Sequence, residues 1–104
     1  MAAVFTVLYP AGDGARFDHA YYDDHHIPLV RKAFAGTGLT DVQVLTGVSA
    51  ADGGPATFVK IVTLFFRDAE AMQASLTSPQ GLELTADLPN FTDIQPITQI
   101  SAAG

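Results

Sequence analysis

Residues 57–66, Thr57-Phe58-Val59-Lys60-Ile61-Val62-Thr63-Leu64-Phe65-Phe66, constrain this chain more than any other stretch. The run is dense in β-branched and aromatic residues and short, so it reads as a strand. Alternation puts Val59, Ile61 and Phe65 on one face and Phe58, Val62, Leu64 and Phe66 on the other. Both faces are apolar, and an apolar face left in water is rare in soluble monomers. Whatever fold this strand joins must cover it twice.

The flanking elements follow from punctuation. Residues 3–9 read as a first strand, ended by Pro10-Ala11-Gly12-Asp13-Gly14. Asp18 caps a helix over about 18–35, with Phe17 stapled onto Tyr22. Gly36-Thr37-Gly38 stops it, and Pro28 inside it predicts a kink. Residues 41–49 form a second strand, and Asp52-Gly53-Gly54-Pro55 a hairpin loop into residues 57–66. Asp68 caps a second helix with Ala69, Met72 and Leu76 on one face. Ser78-Pro79 starts a further short one. Residues 94–101 close the chain as a strand, placed at an edge by Pro96, with a fraying tail Ser101-Ala102-Ala103-Gly104.

The order β-α-β-β-α-β is the ferredoxin-like α+β arrangement: one antiparallel four-stranded sheet with two helices on one face. Its 104 residues make a single domain, 1–104. Helices on one face leave the other to a second copy, packed sheet on sheet. At ~25 cal/mol per Å² of buried apolar area, even a modest interface outweighs the entropy of association. Lys60 is the misfit on the Phe58/Val62 face, expected near a rim or paired with a carboxylate across the interface.

Composition removes several functions. A net charge of −6 with only five basic residues argues against nucleic-acid or anionic-membrane partners. The absence of cysteine removes disulfides, thiolate metal sites and Cys nucleophiles. The N-terminus has no basic region before a long apolar run, and no apolar stretch is long enough to span a bilayer, so cytoplasmic residence is the expectation.

Chemistry concentrates in Tyr21-Tyr22-Asp23-Asp24-His25-His26-Ile27-Pro28-Leu29-Val30. On a wheel at ~100° per residue, His19, Tyr22, His26, Leu29, Val30 and Ala33 share the inward stripe, with Asp23 at its margin. His25, Asp24 and Arg31 face outward. His26 is therefore the buried imidazole, open to three readings. It is a core histidine satisfied by Tyr22, Asp23 or a carbonyl, a general acid/base, or one ligand of a metal set with His19 and Asp23. The spacing matches no strong metal motif, and no metal site is assigned. Asp23 and Asp24 also suit the N-terminal half of a helix through its dipole.

The pattern Tyr21-Tyr22-x-x-x-His26-x-Pro28-Leu29-Val30 resembles the helix of the EthD family of small ferredoxin-like proteins. Leu8-Tyr9-Pro10 with Phe17-Asp18 is similar to that family's first strand and helix entry. Ala86-Asp87-Leu88-Pro89-Asn90-Phe91-Thr92 is similar to its late Asp-(Ile/Leu)-Pro-x-Phe element. The likeness implies a dimeric α+β barrel. The namesake is tied to ethyl tert-butyl ether degradation beside an oxidising cytochrome P450 system. Related barrels include cofactor-free isomerases, polyketide cyclases and small monooxygenases. Gly12-Asp13-Gly14 lacks the third glycine and the spacing of a dinucleotide fingerprint, so no cofactor is expected. Asp87 either caps the turn before Leu88-Pro89 or, with Phe91, lines one pocket with His26 and Tyr22.

The resulting expectation is a small protein binding a compact, partly apolar metabolite between helix and sheet. His26 would move a proton, Tyr22 hold an oxygen, and Asp87 or Asp23 orient the imidazole. His19, Asp23, Leu29 and Phe91 would contact the ligand. The alternatives are a non-catalytic small-molecule binder or accessory to an oxygenase, and a protein-interaction module.

Overall fold

The computed structural model of the chain describes residues 2–103. Strands β1 (Ala2–Pro10), β2 (Leu39–Thr46), β3 (Phe58–Phe66) and β4 (Ile97–Ala103) form one antiparallel sheet in the order β2-β3-β1-β4. The two central strands are the two most apolar ones, as burial on both faces requires. The architecture is the ferredoxin-like α+β fold. Pro96 lies just before β4 and not inside it, so the edge strand has no gap in its ladder. The tail expected to fray pairs instead, Ala103 with Ala2 and Ala102 with Ala3; Gly104 lies outside the described residues.

The first helical region starts as expected. Asp18 accepts from the Tyr21 N–H at 3.0 Å, and Phe17 meets Tyr22 at 5.2 Å between ring centroids. It then departs from a plain helix. α1 (His19–Tyr21) runs into a π-helical segment, Tyr22–His26, and only then into α2 (Ile27–Phe34). The Ile27 N–H reaches back to the Tyr22 carbonyl, a wider turn than an α-helix makes. Pro28 sits in the first turn of α2, where its missing N–H costs no hydrogen bond. The irregularity expected at Pro28 is thus taken up by the π turn ahead of it.

Behind β3, Asp68 caps α3 (Ala69–Leu76) by accepting from the Ala71 N–H at 2.8 Å. Ser78 caps α4 (Pro79–Ala86) by accepting from the Gly81 N–H at 3.1 Å. A 3-10 turn, Leu88–Asn90, follows. Gly38, at φ 98°, ends the α2–β2 link where a Cβ would meet that of Ala71 at 2.6 Å. Its carbonyl accepts from the Arg67 N–H at 2.8 Å.

The core lies between the helices and one sheet face, built from Tyr9, Val62, Leu64 and Phe66 below and Tyr22, Ile27, Val30, Phe34, Met72 and Leu84 above. The other face carries no helix. Cross-strand register sets Leu45, Ile61, Leu8 and Ile97 side by side on it as one aliphatic row. Leu45 and Ile97, at its ends, are 49% and 53% exposed.

Lys60 corrects the sequence reading. It points to the helix face and is fully buried. Its ammonium donates to Thr46 Oγ1 at 2.9 Å and pairs with Asp23 Oδ1 of the same chain at 3.1 Å. It also sits 5.3 Å from the Tyr22 ring centroid and 5.9 Å from that of Phe17. A strand residue and a π-segment carboxylate are thereby tied together under the first helix.

Candidate functional site

A cavity of about 780 Å³ opens between the helices and the sheet. Its floor is Phe5, Val7, Val62 and Leu64, and its roof includes Val30, Phe34 and Leu84. Tyr22 and His26 form part of its wall, and Arg16, Thr92 and Asp93 add polar groups. An apolar cleft with a few converging polar groups is the usual form of a small-molecule site.

The π segment decides which side chains reach this wall. Tyr22 and His26 are both buried and stack at 5.2 Å with 24° between their planes. His25, Asp24 and His19 are exposed. Past the wide turn the inward set becomes Ile27, Val30 and Phe34, while Leu29 and Ala33 are only half-buried. The extra residue in the turn rotates everything after it.

A second segment approaches from residues 87–93. The Asp18 N–H donates to the Phe91 carbonyl at 2.7 Å, and Thr92 Oγ1 donates to the Arg16 carbonyl at 2.6 Å. Phe91, fully buried, packs on Tyr22, His26 and Phe17 with centroids 4.7–5.4 Å apart. This stitching brings Asp87, the C-cap of α4, to His26 across 61 residues of sequence.

Asp87 Oδ2 lies 2.9 Å from His26 Nδ1. Its other oxygen, Oδ1, accepts from the Tyr21 hydroxyl at 2.8 Å and from Asn90 Nδ2 at 2.9 Å. Burial works to raise the Asp87 pKa, but the bonds from Asn90, His26 and Tyr21 together outweigh it and hold the carboxyl below its ordinary range. The same carboxylate raises the Tyr21 phenol. His26 is pushed the other way from a salt-bridged histidine. Burial lowers its pKa, and the bond and charge of Asp87 offset only part of that. Near neutral pH the pair is a neutral imidazole bonded to a carboxylate. Ionised Asp87 can only accept, so the proton resides on Nδ1 and Nε2 keeps its lone pair. Among the described residues Nε2 has no partner, and it is not sealed from solvent.

Tyr22 is fully buried, and its hydroxyl is the one buried side-chain N or O atom without a hydrogen-bond partner among the described residues. Burial, with the neighbouring Tyr9 phenol and Asp23, raises its pKa strongly. Tyr9, also buried, is pushed up to about 12. Both are therefore hydrogen-bond donors and not phenolates at neutral pH.

Of the residues the sequence singled out, His26 and Tyr22 line the cavity and Asp87 backs His26 from outside it. The other four sit elsewhere. Asp23 turns to Lys60, and exposed His19 lies against Phe17 at 4.8 Å. Leu29 is rotated off the wall, and Phe91 is a buried packing ring behind the imidazole. Among the described residues no cluster of His, Cys, Asp or Glu is arranged to hold a metal ion, so His19, Asp23 and His26 do not converge as a ligand set. Sequence reasoning missed Tyr21, Asn90 and Arg16. The Asp87-x-x-Asn90 spacing was the available signal for Asn90, since one short turn returns its amide to the carboxylate.

No helix among the described residues is long and apolar enough to cross a membrane. No protein of curated function matches the chain. Among solved structures, an EthD-like protein from Ralstonia eutropha is 38% identical, with a TM-score of 0.87 over 96% of this chain and 89% of that one. An EthD family protein from Bacillus halodurans is 22% identical over the whole of both chains, with a TM-score of 0.80. The fold is also that of SnoaB, a cofactor-independent oxygenase from Streptomyces nogalater, at 13% identity and a TM-score of 0.70 over 99% of this chain and 93% of that one. A dimeric ferredoxin-like protein from Thermobifida fusca shares the fold as well, at 13% identity and a TM-score of 0.67 over 99% and 92%. The EthD domain profile matches residues 14–95, from the turn after β1 to the approach to β4. The chain belongs to the EthD family.

Proposed function

We propose that this protein binds a compact, partly apolar carbonyl or lactone compound in the cavity and moves a proton on it without a cofactor. The observation that carries this reading is the His26–Asp87 pair on a cavity wall, with Nδ1 committed at 2.9 Å and Nε2 free. Nε2 takes a proton from a carbon next to the carbonyl, and the C–H electron pair moves onto the carbonyl oxygen as an enolate. Tyr22 lines the cavity, and its hydroxyl, buried beside the Tyr9 phenol and without a hydrogen-bond partner among the described residues, donates to that oxygen. The imidazolium, steadied by Asp87, returns the proton at the same or a conjugated carbon. Isomerisation and cyclisation both fit this sequence. The aliphatic row Leu45, Ile61, Leu8 and Ile97 supports a homodimer joined through the open sheet face.

The test is solvent exchange. Small lactones, phenols and carbonyl compounds that raise the melting temperature are incubated in D₂O, and deuterium incorporation is followed by NMR. The wild type incorporates deuterium at an activated carbon; His26→Gln, folded, loses that rate by about 10²–10⁴-fold. Full exchange by the folded variant rejects His26 as the base. Binding with no exchange in the wild type favours the non-catalytic binder, for which the apolar wall and the Tyr22 hydroxyl suffice.

A further inference from the structure

We infer that the cavity is built for an anionic ligand, a compact apolar carboxylate, and that Arg16 is the residue that selects it. This rests on the cavity being a ligand site, as argued above, and adds the ligand's charge. Arg16 lines the cavity at its solvent boundary, where it is the one described residue on the wall with a permanent positive charge. Its side chain is tethered: Nη2 donates to the Pro89 carbonyl at 2.8 Å. Its backbone is fixed as well, with its N–H on Asp93 Oδ1 at 2.8 Å and its carbonyl taking the Thr92 hydroxyl. Among the described residues no carboxylate is in ion-pair range of the guanidinium. Asp93 lines the cavity too, but spends Oδ1 on the Arg16 backbone and not on its side chain. A guanidinium has five N–H donors in a planar fork, and one of these serves Pro89, so the fork still has donors for two oxygens.

The placement relates this cation to the proton-transfer group. Pro89 anchors the guanidinium and Asp87, two residues earlier, anchors His26, so one short turn holds both. Phe5, Val7, Val62 and Leu64 line the apolar floor. A ligand with a carboxylate at Arg16 and a small hydrocarbon body over that floor reaches toward the wall that His26 and Tyr22 line. The protein is acidic overall, with a net charge of −6, so an anion is not drawn in by the global field. A local tethered arginine answers that specific need.

The test compares each acid with its neutral amide. Benzoate and benzamide, and cyclohexanecarboxylate and its amide, are titrated into wild type, Arg16→Gln and Arg16→Lys at constant ionic strength, by calorimetry and chemical-shift mapping. Wild type binds each acid at least about tenfold tighter than its amide, a charge-assisted fork being worth that or more. Arg16→Gln binds acid and amide equally. Arg16→Lys keeps part of the preference, because charge survives but the fork does not. Melting curves establish that both variants are folded, and an unchanged His26 titration shows that the dyad is intact. Equal binding of acid and amide by wild type, a preference that survives Arg16→Gln, or no binding of either compound overturns the inference. The proton-transfer reading fails separately. Arg16-dependent acid binding with no deuterium exchange on any ligand leaves the anion site standing and removes the base. His26-dependent exchange on neutral lactones with no acid preference does the reverse.

Discussion

Replacing Asp87 with Asn tests the dyad at the point where its geometry is most specific. The amide has the carboxylate's shape but only one acceptor end. Two donors, the Tyr21 hydroxyl and Asn90 Nδ2, converge on Oδ1 at 2.8 and 2.9 Å, and only His26 Nδ1 faces Oδ2 at 2.9 Å. The amide oxygen therefore takes the Oδ1 place, and its NH₂ is turned to the imidazole. An NH₂ can pair with Nδ1 only if Nδ1 is bare, so Asp87→Asn moves the imidazole proton to Nε2 and removes the lone pair from the cavity. Bonds to a charged group are worth about 1.5–3 kcal/mol and neutral ones about 0.5–1.5. With the Asp87 side chain 13% exposed, the loss over this network is about 1–3 kcal/mol. Each kcal/mol lowers the melting temperature of a domain this size by about 4–8 °C. The deuterium-exchange rate drops by about 10²–10⁴-fold. Long-range ¹H–¹⁵N spectra read the tautomer directly, with Nδ1 protonated in wild type and Nε2 in Asp87→Asn. The variant's His26 pKa lies lower still, because the bond and charge that opposed burial are gone. The pH dependence has a fixed sign. Below about 6.5 an unfolded histidine takes a proton that folded His26 resists, so stability falls with acid through this range. Below 3.8 the contribution of Asp87, fully present above that value, is lost as pH falls through its lowered folded pKa. Asp87→Asn deepens the first loss and abolishes the second. A variant that keeps Nδ1 protonated with an unchanged His26 titration refutes the orientation argument.

The Lys60–Asp23 pair responds asymmetrically. Lys60→Met removes a buried charge, keeps the stem's volume and leaves a carboxylate that is 52% exposed, so urea unfolding changes by less than about 1 kcal/mol. Asp23→Ala strands a buried ammonium with Thr46 as its hydrogen-bond acceptor and costs about 1–3 kcal/mol, reduced from a fully buried case because water reaches Asp23; equal costs for the two refute the pairing. On the open sheet face, Leu8→Asp puts a charge between Ile61 and Ile97. If the wild type is the proposed dimer, light scattering finds Leu8→Asp a monomer, with association weakened by at least about 30-fold, the loss of one hot spot; an unchanged mass refutes the sheet interface.

The fold was legible because its signals are local and mutually consistent. Asp18, Asp68 and Ser78 are caps in the sequence and caps in the structure. The doubly apolar β3 sits in the sheet interior. The edge position inferred from Pro96 holds for β4, and only the strand's start was misplaced, because a proline near a strand signals an edge whether it lies inside the strand or just before it. Lys60 was misread because alternation states which face a residue takes and not what waits there. The carboxylate that makes the helix face acceptable to a lysine comes from a different element, Asp23 in the π segment.

The site was legible in one half only. A regular wheel places Tyr22 and His26 inward, and both are buried. Tyr21 is not on that inward stripe, yet it grips Asp87 and its ring packs against His25 at 5.0 Å with the planes tilted by 39°. No residue-by-residue pattern announces a π turn, because its wider ring is chosen by what the surroundings gain. Here Pro28 ends the stretch in which an unbroken α-helix would leave a carbonyl without its donor. Lys60 anchors Asp23 from below, and Phe91 fills the space against Tyr22 and His26. Each of these acts on the segment from outside it. The π turn therefore expresses tertiary structure within a helix, and it decides which tyrosine supports the carboxylate and which one is buried in the cavity wall.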